Sequence, residues 1–166
     1  PGLIDDVVGA LRDSGLPAER LELEITEGML LEGGEQVECS LRAIRALGVD
    51  LALDDFGTGY SSLAYLQRLP LTYLKIDRAF IASLDKDPRQ AIVAEAIIDI
   101  GRRLDLTLIA EGVENLAQLQ WLLARGCRQI QGYLFSPPLS VPDLDRVLFT
   151  TRQLSQSAET DNSLQI

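Results

Sequence analysis

The sequence predicts a parallel α/β fold, and three observations carry that prediction. Segments of strand character alternate with segments of helical character along the chain, the order produced by a parallel sheet with crossover helices. Gly or Pro punctuates the helical segments where each must stop, at Gly15, Gly48, Pro70 and Gly126. Acidic residues recur where the strand segments end. In (β/α) proteins that edge of the sheet holds the active site.

Each element follows from local pattern. A helix is expected over about Leu3 to Ser14, with apolar residues at Leu3, Val7, Val8 and Leu11 and with Pro17 just past its end. "LELEIT" (21–26) alternates apolar and acidic residues with period two, a strand signal. A second helix is expected from about Glu35 to Leu47, followed by the strand "VDLALDD". A short helix from Ser61 to Arg68 precedes the strand "TYLKID". Pro88 suits the first turn of a helix running to about Leu104. "LTLIAEGV" is the fourth strand, a helix from about Asn115 to Arg125 follows, and "RQIQGYLF" is the fifth strand. A last helix begins near Val141–Pro142. The expected organisation is one domain over 1–152 and a polar tail, 153–166, too poor in large apolar groups to order itself.

Composition excludes several classes of function. A net charge of −10 argues against binding a DNA or RNA polymer through its backbone, which needs a basic surface. The absence of histidine removes Ser-His-Asp and Cys-His catalysis and disfavours zinc. Two cysteines, Cys39 and Cys127, are too few for a disulfide framework, so both are expected to be reduced, half-buried thiols in a cytoplasmic protein. No apolar run approaches the ~20 residues of a membrane span, and no signal peptide is visible at Pro1. A cytoplasmic location is therefore expected, even if a longer parent protein is anchored to a membrane elsewhere.

The stretch "LALDDFGTGYSSLAYL" (51–66) sets two like charges, Asp54 and Asp55, side by side at the end of an apolar strand. Burying adjacent carboxylates is costly unless a cation compensates them. Glu24 and Glu27 end the first strand, Lys75 and Asp77 lie in the third, Glu111 and Glu114 end the fourth, and Gln131 lies in the fifth. Glu24, Asp54, Asp55 and Glu111 come from three strand ends and offer only oxygen donors, a set suited to Mg²⁺ or Mn²⁺. In a two-metal site one carboxylate bridges both ions. Lys75 stands ready to hold a phosphate or to orient a water. Plainer roles compete: Asp55 as a helix cap, Lys75 as a barrel lysine paired with one carboxylate, Glu27 as a loop anchor, Glu114 as part of a helix start, Trp121 as core.

The ordered series "LELEITE", "LALDDFGTGYSSLAYLQRLPLTYLKID", "LIAEGVE" and "QGYLF" resembles the motifs of the EAL-domain family, the cyclic di-GMP phosphodiesterases of bacteria. The likeness runs from the first helix to about Leu148. It implies a TIM-type (β/α) barrel and hydrolysis of one phosphodiester bond of cyclic di-GMP to linear pGpG, with two Mg²⁺ or Mn²⁺ ions. By position Glu24, Asp54, Asp55 and Glu111 resemble the family's metal ligands, with Asp54 as the bridge. Lys75 resembles the lysine that positions the attacking water. Glu27 resembles the glutamate that fixes the loop after "DDFG", a loop tied to catalysis and dimerisation. Glu114 and Gln131 resemble the remaining site residues. A homodimer through Thr58 to Arg68 is a further implied partner.

The chain also departs from the family pattern. It lacks the Glu-Ala-Leu tripeptide and the strand that supplies an asparagine ligand; its asparagines are Asn115 and Asn162. Its five strands compare with the roughly eight of a closed barrel. "SPPL" (136–139) stands where the family often has a basic residue before the second proline. An incomplete barrel with little or no activity of its own is therefore expected. The rival readings are a non-catalytic cyclic di-GMP receptor and a dimerisation module.

Overall fold

The computed structural model describes residues 2–57, 66–84 and 86–147, with the backbone alone for 31–33. Helix α1 (Leu3–Ser14) is amphipathic: Val7 is buried, and Ile4 and Leu11 pack beside it. Leu3 and Val8, expected on the same face, are exposed. Asp5 and Asp6 lie in the first turn and Arg12 in the last, matching charge to the helix dipole. Gly15 ends the helix at φ 67°, and its N–H donates to the Leu11 carbonyl, a left-handed cap that glycine adopts without strain.

Strand β1 (Glu22–Thr26) leads directly into α2 (Glu27–Ala46). The helix therefore begins at Glu27 rather than Glu35. Gly34 is non-helical inside it (φ 52°, ψ −146°), so two helical segments meet at a kink, and the sequence signal marked only the second. Next come β2 (Asp50–Phe56), β3 (Tyr73–Ile76), a single-turn helix α3 (Arg78–Ile81), α4 (Pro88–Arg103), β4 (Thr107–Ala110), α5 (Leu116–Ala124) and β5 (Gln129–Ile130). Asp77, expected at the third strand's end, instead caps α3 by accepting the Ala79 N–H at 2.7 Å. Pro88 opens α4 behind the N-cap Asp87, as its fixed φ favours.

The five strands form one parallel sheet in the order β1-β2-β3-β4-β5. This is the open arc of a TIM-type barrel with flanking helices. Among the described residues, β1 and β5 each pair along one edge only. The core includes Ile44, Leu51, Leu53, Leu74, Ile76 and Ile98, all at most 1% exposed. The fifth strand is shorter than "RQIQGYLF" suggested. A Cβ on Gly132 would lie 2.2 Å from the Val113 carbonyl oxygen, and the Leu134 N–H donates to that oxygen. The chain after Ile130 thus folds against the loop after β4 instead of extending the ladder.

At Gly101, α4 lies close against the sheet. A Cβ there would stand 2.5 Å from Leu108 Cδ2 and 3.2 Å from Leu74 Cδ2. Gly101→Ala is expected to destabilise the chain by about 1–2 kcal/mol, because overpacking outweighs the gain in helix propensity. An unchanged or raised urea midpoint would show that the interface yields freely.

The cysteines differ from expectation. Both are free, but Cys39 is exposed and Cys127 fully buried. Burial pushes the Cys127 thiol up to about 11. Among the described residues, those up to Leu134 fall in one compact unit and those from Phe135 in a second. In the second, 141–147 is helical, as anticipated near Val141–Pro142, and the Ser140 hydroxyl donates to Asp143 Oδ2 at 2.6 Å. Residues 58–65 and 148–166 lie outside the described residues. With them lie most of the expected helix Ser61–Arg68, the loop "GTGYSS" beyond Gly57, most of the dimer segment Thr58–Arg68 and the tail 153–166. No described helix is long and apolar enough to cross a membrane.

Candidate active site

The parallel register brings three strands' acids to one lysine. Lys75, on β3, is nearly fully buried, its side chain 5% exposed. Its Nζ lies 2.6 Å from Glu24 Oε1, 2.7 Å from Glu111 Oε1 and 3.3 Å from Asp54 Oδ1. Glu24 belongs to β1, Asp54 to β2, and Glu111 directly follows β4. Lys75 is therefore paired with three carboxylates, not one. The contacts below 3 Å are charge-assisted hydrogen bonds of the stronger kind.

A bulge places the aspartates. Leu53 pairs with Leu74 and Phe56 with Ile76, so Asp54 and Asp55 together oppose the single residue Lys75. Such an extra residue bends the strand and re-aims side chains. Asp55 takes φ 56°, a left-handed conformation that aspartate tolerates better than most residues. Its N–H donates to Asp54 Oδ1 at 3.0 Å. The paired charges lie at a break in strand geometry that separates them: Asp54 turns to the ammonium, and Asp55 is exposed.

The electrostatics keep the lysine charged. Burial works against the ammonium, but hydrogen bonds to Glu111 and Glu24 and the charges of Glu111 and Asp54 outweigh it. The pKa lies above the ordinary lysine value of 10.5. Three carboxylates still face one ammonium, so the cluster is net negative. Among the described residues no three acidic side chains form a metal cage by themselves; the point on which these three converge is the ammonium. The donor set nevertheless fits a hard divalent cation, being all oxygen and having negative charge to spare.

The remaining candidates stand apart from this cluster. Glu27 is buried, and its Oε2 accepts the Gly57 N–H at 3.3 Å, tethering the start of the loop after β2. Its Oε1 is buried without a hydrogen-bond partner among the described residues. Glu114 and Gln131 are exposed, and among the described residues only their backbone groups hydrogen-bond: the Glu114 N–H to Gln118 Oε1, and Gln131 to Ala110 and Val113. Gln118 was not singled out from the sequence. It is 2% exposed and forms a capping box with Asn115, and its Nε2 donates to the Ala82 carbonyl. The spacing Asn-x-x-Gln at 115–118 was the readable signal. Trp121 packs against the core as expected, and Arg125 lies 3.8 Å over its ring.

Comparison with known proteins identifies the relatives of this chain. The sequence profile described as the EAL domain matches residues 1–138. The chain is 49% identical over 146 residues to the cyclic di-GMP phosphodiesterase NbdA of Pseudomonas aeruginosa, covering 88% of this chain and 19% of that protein. The structure of the PaMucR phosphodiesterase in complex with c-di-GMP superposes with a TM-score of 0.82 at 43% identity, covering 86% of this chain and 58% of that one. The manganese and cyclic di-GMP complex of Klebsiella pneumoniae BlrP1 superposes at 0.72 with 35% identity, covering 80% of this chain and 35% of that one. The chain spans about a fifth of the length of the curated relatives it matches. It belongs to the EAL domain family.

Proposed function

We propose that this chain carries the metal-binding carboxylates of a cyclic di-GMP phosphodiesterase that opens one phosphodiester bond to give linear pGpG. The observation that supports this reading is the convergence of Glu24, Asp54 and Glu111 on Lys75 Nζ within 3.3 Å. NbdA is named for this activity, and BlrP1 holds its nucleotide together with manganese. Glu24, Asp54, Asp55 and Glu111 are the proposed ligands for two divalent ions, Mg²⁺ or Mn²⁺. Bound there, such ions would supply Lewis-acid activation of water and neutralise charge on the phosphoryl oxygens.

The protein's own groups have distinct tasks. Lys75 stays protonated and donates to the attacking water or to a phosphate oxygen. Its three carboxylates fix the ammonium's position before substrate arrives, which lowers the reorganisation needed for reaction. Glu27 holds the Gly57 end of the loop after β2. Glu114 and Gln131 are proposed to contact the nucleotide.

The test is cyclic di-GMP hydrolysis with Mn²⁺ or Mg²⁺, followed by separation of products. It is run on this chain and on a protein in which the chain is joined to the strands that complete a barrel. The longer protein is expected to form pGpG and to lose activity in EDTA. This chain alone is expected to turn over little or none. Failure of the longer protein to bind or cleave the nucleotide with any divalent ion would sink the reading; binding without cleavage would make it a receptor.

A further inference from the structure

The end of the sheet opposite the carboxylate cluster carries a cleft. Leu106, Thr107 and Leu108, at the start of β4, line it together with Arg102 from the last turn of α4, and with Arg128 and Gln129 at the entry to β5. Glu111 follows the other end of β4. The cavity is about 360 Å³, within the range typical of small-molecule sites, roughly 300–1,000 Å³.

Among the described residues, its polar side chains have no protein partners. Arg102 and Arg128 form no ion pair among the described residues, although the chain holds 25 acidic residues against 15 basic ones. Arg42, Arg45, Arg68 and Arg125 each find a carboxylate; Arg20, Arg78, Arg89 and Arg103 do not among the described residues, so what sets the exposed Arg102 and Arg128 apart is that both line one cleft. The side chains of Thr107 and Gln129 likewise make no hydrogen bond among the described residues. Arg102 does complement the carbonyl end of α4. That role leaves its guanidinium donors available, and it does not account for Arg128, which stands just before a strand.

We propose that this cleft binds a phosphate monoester dianion, supplied as free phosphate or on a small organic molecule, through Arg102 and Arg128. Planar guanidinium groups match two phosphate oxygens at once. Leu106 and Leu108 offer an apolar wall to an organic substituent. The site is independent of the proposed phosphodiesterase chemistry.

Calorimetric titration of this chain with inorganic phosphate and with phenyl phosphate tests the proposal. EDTA and fixed ionic strength keep the anion from reaching the carboxylate cluster through a metal ion. Saturable binding of roughly millimolar strength is expected. It should weaken about tenfold in Arg102→Gln and in Arg128→Gln, the scale of one charge-assisted contact. Arg103→Gln should bind as the unaltered chain does, because Arg103 lines a different hollow. Tighter binding of phenyl phosphate supports an organic ligand; equal affinities support free phosphate. Non-saturable uptake, equal loss in all three variants, or full binding in both cleft variants overturns the proposal.

Discussion

Lys75→Met is expected to lower the unfolding free energy of this chain by about 2–4 kcal/mol in EDTA. Removing one partner of a buried ion pair ordinarily costs about 3–5 kcal/mol, because the other charge stays behind unpaired. Here three carboxylates stay behind, which pushes the cost up. Glu24's side chain is 52% exposed, so water recovers part of it. The pH dependence gives a second check. The folded-state pKa of Lys75 lies above the ordinary 10.5, so the native state holds that proton more tightly than the unfolded chain. Its stabilisation is fully present below 10.5 and is lost as pH rises through the folded value. The gap between the original chain and the variant should therefore be constant near neutrality and narrow only in strong alkali. Added Mn²⁺ should stabilise the variant more than the original, since a divalent cation replaces the missing charge. Urea denaturation measures all three effects. An equal midpoint for both proteins would mean that the carboxylates are hydrated and that the lysine contributes nothing.

Asp54→Asn, in a protein whose barrel is complete, is expected to reduce cyclic di-GMP hydrolysis by roughly a thousandfold or more. The upper scale for losing one charge-stabilising group in an active site is about 10³, and the loss of a proposed metal ligand would weaken cation binding as well. The same change removes one of three negative charges near Lys75, so stability without metal should fall little or even rise. That split separates a catalytic role from a structural one. Steady-state rates at saturating Mn²⁺, paired with thermal unfolding, measure it. A variant that keeps most of its rate under saturating metal would rule out Asp54 as a metal ligand.

The expected elements that match the structure are those set by local pattern. Gly15 closes α1 because only a left-handed residue ends that helix cheaply, and Pro88 opens α4 because its φ is already helical. These signals lie within a turn of the residues they govern. The misplaced boundaries have non-local causes. The segment Glu27–Gly33 has no strong start signal of its own, and the non-helical Gly34 sets it apart from the rest of α2. The fifth strand ends early because Gly132 meets the Val113 backbone, a contact between segments distant in sequence.

The same division runs through the candidate site. Order along the chain was enough to name Glu24, Asp54, Lys75 and Glu111 as partners, because successive parallel strands present corresponding residues on one side of a sheet. It was also enough to exclude histidine chemistry, since there is no histidine to perform it. Three-dimensional packing alone decided that Asp54 and Asp55 part company at a bulge, that Glu114 and Gln131 stay outside the cluster, and that a buried ammonium holds three carboxylates together. Those outcomes depend on strand register and on distances of a few ångströms, which charge and spacing do not encode.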